Sequence, residues 1–327
     1  MDLLYVVFPV SGVKTWVFLP PLVAFIVSFF TSMGGVSGAF LLLPFQVSIL
    51  GFTSPSVSPT NLVYNIVGIP SGVYRYIREG RMAWPLTWTV IVGTLPGVFI
   101  GAIIRIKYLP DPRAFKFFVG FVLLYIGGRL LYELSGRVTS KKAKIRALDE
   151  KFKQRADKIK VEQKARIASG LPPEAVVKTV RFSFTRYQYE FYGETFSFNT
   201  IGLLVLAFVV GIIGGTYGIG GGAIIAPFLI AVFHLPVYTI AGAALMGTFL
   251  TSIVGVIFYT LIAPLYADTG LSIAPDWPLG ILFGIGGFAG MYCGARFQKF
   301  VPQKFIKFVL GMVITFLAFR YLVQYFL

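Results

Sequence analysis

The sequence predicts an all-α polytopic membrane protein, built as two inverted-topology repeats of five membrane segments with a small cytoplasmic helix and β-hairpin inserted between them. Three observations predict it. The 327-residue chain is 56% hydrophobic and 13% charged, whereas soluble domains are about 45–50% apolar and about 25% charged. Several stretches of about 20 residues run with few or no charges, long enough to cross a hydrocarbon core about 30 Å thick. The chain also aligns with itself on either side of a basic linker, giving a repeat over 1–134, a linker over 135–198 and a second repeat over 199–327.

Five apolar segments fill the first half, over 15–32, 36–51, 57–78, 84–106 and 112–134. Five more follow the linker, over 199–215, 219–233, 237–264, 277–297 and 303–326. Pro20 and Pro21 interrupt the first segment, which does not read as a cleavable signal. In each half the first two segments are short and joined by glycine without a polar loop. Each can span, or the pair can dip in and return. Broken or hairpin-like helices are the expectation, since exposed backbone at membrane depth is tolerated only where protein or a cavity shelters it.

The halves match at many positions. Gly38-Ala39 precedes Pro44 as Gly222-Ala223 precedes Pro227, and Gly72 falls on Gly255. Trp84-Pro85-Leu86 matches Trp277-Pro278-Leu279. Gly93, Gly97 and Gly101 match Gly286, Gly290 and Gly294, while Lys116, Gly120 and Arg129 match Lys307, Gly311 and Arg320. With an odd number of segments per repeat the halves must run in opposite senses, a signature of secondary transporters.

Charge sets the orientation. The net +16 would suggest nucleic acid in a soluble protein, but 15 Lys/Arg and 7 Asp/Glu lie within 135–198 and most of the rest at segment ends. That is a positive-inside pattern with a cytoplasmic linker, and no nucleic acid partner is expected. The 105–113 loop fits poorly: it falls outside yet carries Arg105, Lys107 and Arg113 against Asp111. Within the linker, residues 139–168 read as an amphipathic helix able to lie on anionic lipid. Val180, Phe182 and Phe184, then Tyr187, Tyr189 and Phe191, alternate with polar residues as a β-hairpin does.

Candidate site residues cluster at the glycine breaks. Gly214–Pro227 reads GGTYGIGGGAIIAP, and glycine costs about 1 kcal/mol relative to alanine in a helix interior, so the cluster marks a break. Freed N–H groups and positive half-helix ends there suit an anion. The second break supplies Thr216, Tyr217, Gly218, Gly220, Gly221 and Gly222, and the first supplies Gly34, Gly35, Ser37 and Gly38. On the third segment, Asn61, Asn65, Gly68 and Gly72 share a helix face, and their partners Ala244, Thr248, Thr251 and Gly255 repeat it. A small or polar face repeated in both halves reads as cavity lining. The glycines spaced by four on the fourth segments read instead as helix-packing faces.

Other groups carry less. His234, beside Pro236, reads as a solvated or capping residue, and Arg129 and Arg320 as snorkelling side chains. Cys293 is the single cysteine, so no intrachain disulfide forms. Outside the linker the six acids (Asp2, Glu79, Asp111, Glu133, Asp268 and Asp276) all avoid segment centres. A carboxylate proton relay is therefore disfavoured. With no buried cation evident, helix dipoles and N–H groups are expected to neutralise a bound anion. Neither a phosphate loop, a metal motif nor a nucleophile constellation is present, so no cofactor and no enzymatic activity are expected.

GIGGGAIIAPFLI at 218–230, GGVSGAFLLLPF at 34–45 and the five-segment duplication resemble the TauE/SafE family of sulfite exporters. The resemblance covers essentially all membrane segments. It implies a cytoplasmic (inner) membrane permease exporting sulfite or related organosulfonates. This chain departs from the pattern in having Val36-Ser37 where the second copy has Gly220-Gly221, and in its long basic linker. Residues and resemblance together point to a secondary transporter of a small sulfur-containing anion working by alternating access. A channel-like permease for another anion such as sulfate, or a scaffold or sensor acting through the linker, stay open.

Overall fold

The computed structural model describes the chain except residues 1–3, 34–36, 79–81, 135–176, 184, 192–193, 234, 236, 298–302 and 327. The amphipathic helix expected over 139–168, and His234, Gly34 and Gly35, lie outside the described residues. The first half holds α1 (Leu19–Met33), α2 (Ala39–Ser48), α3 (Val57–Gly68), α4 (Pro70–Arg78), α5 (Trp84–Lys107) and α6 (Pro112–Leu134). The second holds α7 (Thr200–Tyr217), α8 (Ile225–Ala231), α9 (Val237–Ile262), α10 (Trp277–Phe297) and α11 (Gln303–Phe326), with a 3₁₀ turn over Ala263–Thr269 after α9.

Helix starts follow local chemistry. Asn199 accepts from the Gly202 N–H (3.0 Å), Asp111 from Ala114 (2.8 Å) and Asp276 from Leu279 (3.3 Å), each a side-chain cap on otherwise orphaned donors. Pro20, Pro21, Pro85, Pro112 and Pro278 all sit in first turns, where the missing N–H costs nothing. Pro20 and Pro21 thus open α1 rather than interrupting it. Pro70 acts differently. It follows directly on α3, and its ring and missing N–H divide the expected 57–78 segment at Ile69. Gly72 consequently belongs to α4.

Six helices among the described residues are long and apolar enough to cross a membrane: α5, α6, α7, α9, α10 and α11. Their outward side chains are mostly apolar. On α5, Trp84, Trp88, Val92, Ile100 and Ile103 form one exposed face suited to lipid. The chain is a polytopic membrane protein. The second segments differ: α2 has 10 residues and α8 has 7. At about 1.5 Å per residue neither reaches across a core of about 30 Å.

The long helices pack across the two halves. α1 lies on α10, α5 on α7 and α6 on α11, while α3 contacts α10 and α9 contacts α5. Glycines allow this closeness, as expected of the fourth segments. A Cβ on Gly97 or Gly101 would run into the Phe208 or Ile212 carbonyl of α7, and one on Gly290 or Gly294 into the Phe25 or Phe29 carbonyl of α1. α3 and α9 meet between these pairs.

Two small sheets lie at the ends of the bundle. β3 (Lys178–Phe182), β4 (Arg186–Phe191) and β5 (Glu194–Asn199) form an antiparallel three-stranded sheet in the order β3-β4-β5. The expected hairpin is therefore extended by a third strand that runs straight into α7. Tyr187, Tyr189 and Phe191 form its buried face, and the Tyr189 hydroxyl lies 2.8 Å from Thr239 Oγ1 at the start of α9. The second sheet was not expected. β1 (Tyr5–Val7) and β2 (Lys14–Trp16) pair before α1. Their turn reaches the start of α10, where Ser11 donates its N–H to Asp276 Oδ2 (2.9 Å).

Candidate functional site

The second glycine break is a helix stop built by geometry. Gly218 closes α7 in the left-handed region (φ 82°), and the Gly218 and Ile219 N–H groups both return to the Gly214 carbonyl (2.9 and 3.0 Å). The Ile219 bond is the six-to-one bond of a Schellman stop and the Gly218 bond that of an αL stop, and both need a residue without a Cβ penalty at Gly218. Gly220 repeats the conformation (φ 82°). Between Tyr217 and Ile225 the helical ladder is interrupted, so backbone polar groups there must find other partners.

Helix α3 supplies them. Asn61 donates through Nδ2 to the Gly218 carbonyl (2.8 Å) and the Ala39 carbonyl (3.1 Å), and accepts at Oδ1 from Gln46 Nε2 (3.2 Å). Asn65 donates to the Ile219 carbonyl (3.0 Å) and to Ser252 Oγ (3.3 Å), and accepts from Ser37 Oγ (3.3 Å). The two asparagines, one helical turn apart, therefore each bond both the first break and the second. Both are fully buried. Each contributes bonds worth about 0.5–1.5 kcal/mol net, and leaving such a group unsatisfied costs about 1–3 kcal/mol.

Tyr217 closes the arrangement from the other side. Pro44 lacks the N–H that would bond the Phe40 carbonyl within α2, and the Tyr217 hydroxyl donates to that carbonyl at 2.7 Å. Helix α9 completes the floor. The Gly221 N–H donates to Thr251 Oγ1 (3.1 Å), and a Cβ on Gly222 would collide with the α9 backbone at Ala244 and Thr248. Thr248 and Thr216 bond back into their own helices, to the Ala244 and Ile212 carbonyls (both 2.8 Å). Gly38 faces Ser28, Thr31 and Tyr64, with Ser28 Oγ and the Tyr64 hydroxyl 2.8 Å apart.

The structure thus gathers Ser37, Gly38, Asn61, Asn65, Tyr217, Gly218, Gly220, Gly221, Gly222, Thr248 and Thr251 into one buried polar centre, with Thr216 at its edge. The asparagines bond backbone rather than lining open space. Gln46, Ser252 and Thr94 belong to the same centre and were not expected from sequence. Gln46 Oε1 is buried without a partner, and Thr94 lies against Gly221. A polar residue in an apolar ten-residue helix was the available signal for Gln46.

The expectation of no buried cation is corrected. Arg105 is fully buried near the end of α5, its Nη1 donating to the Leu109 carbonyl and its guanidinium 3.8 Å from the Phe115 ring centroid. In sequence Arg105 reads as a charge of the external 105–113 loop, but it lies within α5 and Phe115 of α6 folds over it. Arg320 is exposed and Arg129 half-buried.

The family model described as Sulfite exporter TauE/SafE matches residues 21–321. No similar chain is found among the curated proteins or the solved structures. With its apolar helices and paired breaks described, the chain is placed by that match in the TauE/SafE sulfite exporter family, a family of membrane transporters.

Proposed function

We propose that the chain is a secondary transporter that exports sulfite or a small organosulfonate by alternating access, with the paired breaks as the transit site. The observation that carries this reading is the double stapling by Asn61 and Asn65, each of which bonds both breaks. Unwound backbone and half-helix ends are where broken transporter helices hold ions and anionic groups. The anion would be met by N–H groups of the second break, by Ser37 and by the α3 face, once the interlocking bonds among them open.

The cross-packing of the halves supports inverted repeats. The first helix of each half lies on the fourth-segment helix of the other, and the two last helices lie together. In this reading α1 with α2, and α7 with α8, dip in and return as pairs, and Ile69 is a hinge where Pro70 has already removed one ladder bond. The three-stranded sheet and linker are cytoplasmic, the β1–β2 hairpin external, and the membrane is the inner one. Anionic lipid meets the linker.

The test is flux across proteoliposomes containing the purified chain. Sulfite or a simple sulfonate is expected to move, at a rate that responds to an imposed proton or sodium gradient. If another solute moves while sulfur anions do not, the substrate assignment fails. Sulfur-anion flux indifferent to either gradient would make the protein a channel-like permease.

A further inference from the structure

We infer that Ser58, Arg105 and Tyr259 form a second anion-binding site, built for a small oxyanion of the sulfite or sulfate type, beside the second break. Arg105 is charged at any accessible pH, and a buried charge is costly unless paired. Among the described residues it meets no carboxylate. Asp111 is exposed and caps α6, while Asp276 bonds the Ser11 and Leu279 N–H groups. The Leu109 carbonyl uses one guanidinium donor and the Phe115 face covers one side. Nε and Nη2 stay buried with no hydrogen-bond partner.

Two hydroxyls share that condition. The Tyr259 hydroxyl neighbours Ser58 and lies within electrostatic reach of Arg105, and Tyr259 packs in one buried cluster with Ile106, the residue after Arg105. Although Ser58 and Tyr259 are neighbours, neither Ser58 Oγ nor the Tyr259 hydroxyl completes a well-formed hydrogen bond, and both are buried. Three elements, α3, α5 and α9, thus bring four buried groups able to donate to one place: the guanidinium Nε and Nη2 and the two hydroxyls. Its surroundings are apolar, including Leu62, Ala102, Ile106 and Val256. Among the described residues the guanidinium Nε and Nη2 meet no acceptor, and that role suits an anion.

The donor set selects the ligand. Adjacent guanidinium N–H groups grip two oxygens of one oxyanion, and the hydroxyls can take further oxygens, so a halide uses the site poorly. The place also connects to the break. A Cβ on Gly218 would lie 2.5 Å from Ser58 Cα, so Ser58 borders both sites. An anion held by Arg105 sits one residue from the Gly218 turn, where a transported anion would pause on its way to or from the centre. The basic 105–113 loop that fits the positive-inside pattern poorly acquires a reason: Arg105 is kept there for an anion.

The experiment uses the full chain in lipid nanodiscs and follows thermal unfolding while titrating sulfite, sulfate and chloride. The wild type is expected to be stabilised by both oxyanions at concentrations where chloride does little. Tyr259→Phe, a mild change, and Arg105→Gln should each raise the oxyanion concentration needed by about tenfold or more. Arg105→Gln should also raise the unfolding temperature without anion, because an unpaired charge has been removed. A purely structural Arg105 predicts the reverse: a lower unfolding temperature and an unchanged anion response. An unchanged oxyanion response in Tyr259→Phe and Arg105→Gln overturns the site. Asn65→Ala separates this result from the transport reading: it should lose flux yet keep the Arg105-dependent stabilisation.

Discussion

Tyr217 does for Phe40 what Pro44 cannot. Because the hydroxyl replaces a missing backbone donor, Tyr217→Phe should strand a buried carbonyl and cost about 1–3 kcal/mol. The pairing can be tested against itself. With Pro44→Ala in the same chain, the new N–H can reach the Phe40 carbonyl, and the double variant should recover most of the stability lost by Tyr217→Phe. Thermal unfolding of the four proteins in a double-mutant cycle measures this, and strict additivity would contradict it. Gly218 is stricter. Any side chain there meets both a left-handed φ, costing about 1–2 kcal/mol, and the Ser58 backbone. Gly218→Ala should lower the unfolding temperature markedly, whereas Gly51→Ala, also at positive φ (69°) but with open space around it, should cost only the conformational part.

The helices were largely legible in the sequence, because hydropathy runs, caps and first-turn prolines are local signals. The 112–134, 277–297 and 303–326 segments end where α6, α10 and α11 do. What was illegible depended on distant partners. The third strand pairs Glu194–Asn199 with β4, and its alternation was hidden by its join to the α7 cap. The break at Ile69 was missed because hydropathy runs through Pro70. The packing glycines were read correctly as a face, yet their partners became apparent only in three dimensions: Gly97 and Gly101 on α7, Gly290 and Gly294 on α1. At this scale Gly290→Val should wedge α1 from α10 and cost about 1–3 kcal/mol, the usual range for overpacking. Its equivalent Gly97→Val should do the same between α5 and α7. An unchanged unfolding temperature in either would show that the two helices do not pack as described.

Across the whole molecule, the breaks are separated by some 180 residues of sequence and meet through α3. Most residues of the candidate centre were legible from the glycine breaks, polarity and repetition, whereas Gln46, Ser252 and Thr94 were not. How they bond was not: Asn61 reaches a carbonyl 157 residues away, and no sequence pattern specifies that choice. Arg105 was illegible for the same reason, since its burial is imposed by Phe115 on the following helix. The membrane fold and family place the chain among transporters, and in the proposed reading the anion crosses at the stapled breaks. The most direct measurement is the initial rate of sulfite flux in proteoliposomes for Asn65→Ala beside the wild type, at equal folded content. The account predicts a rate lower by about tenfold or more, equivalent to about 1.4 kcal/mol of lost stabilisation. A folded Asn65→Ala protein that moves sulfite at the wild-type rate would contradict it.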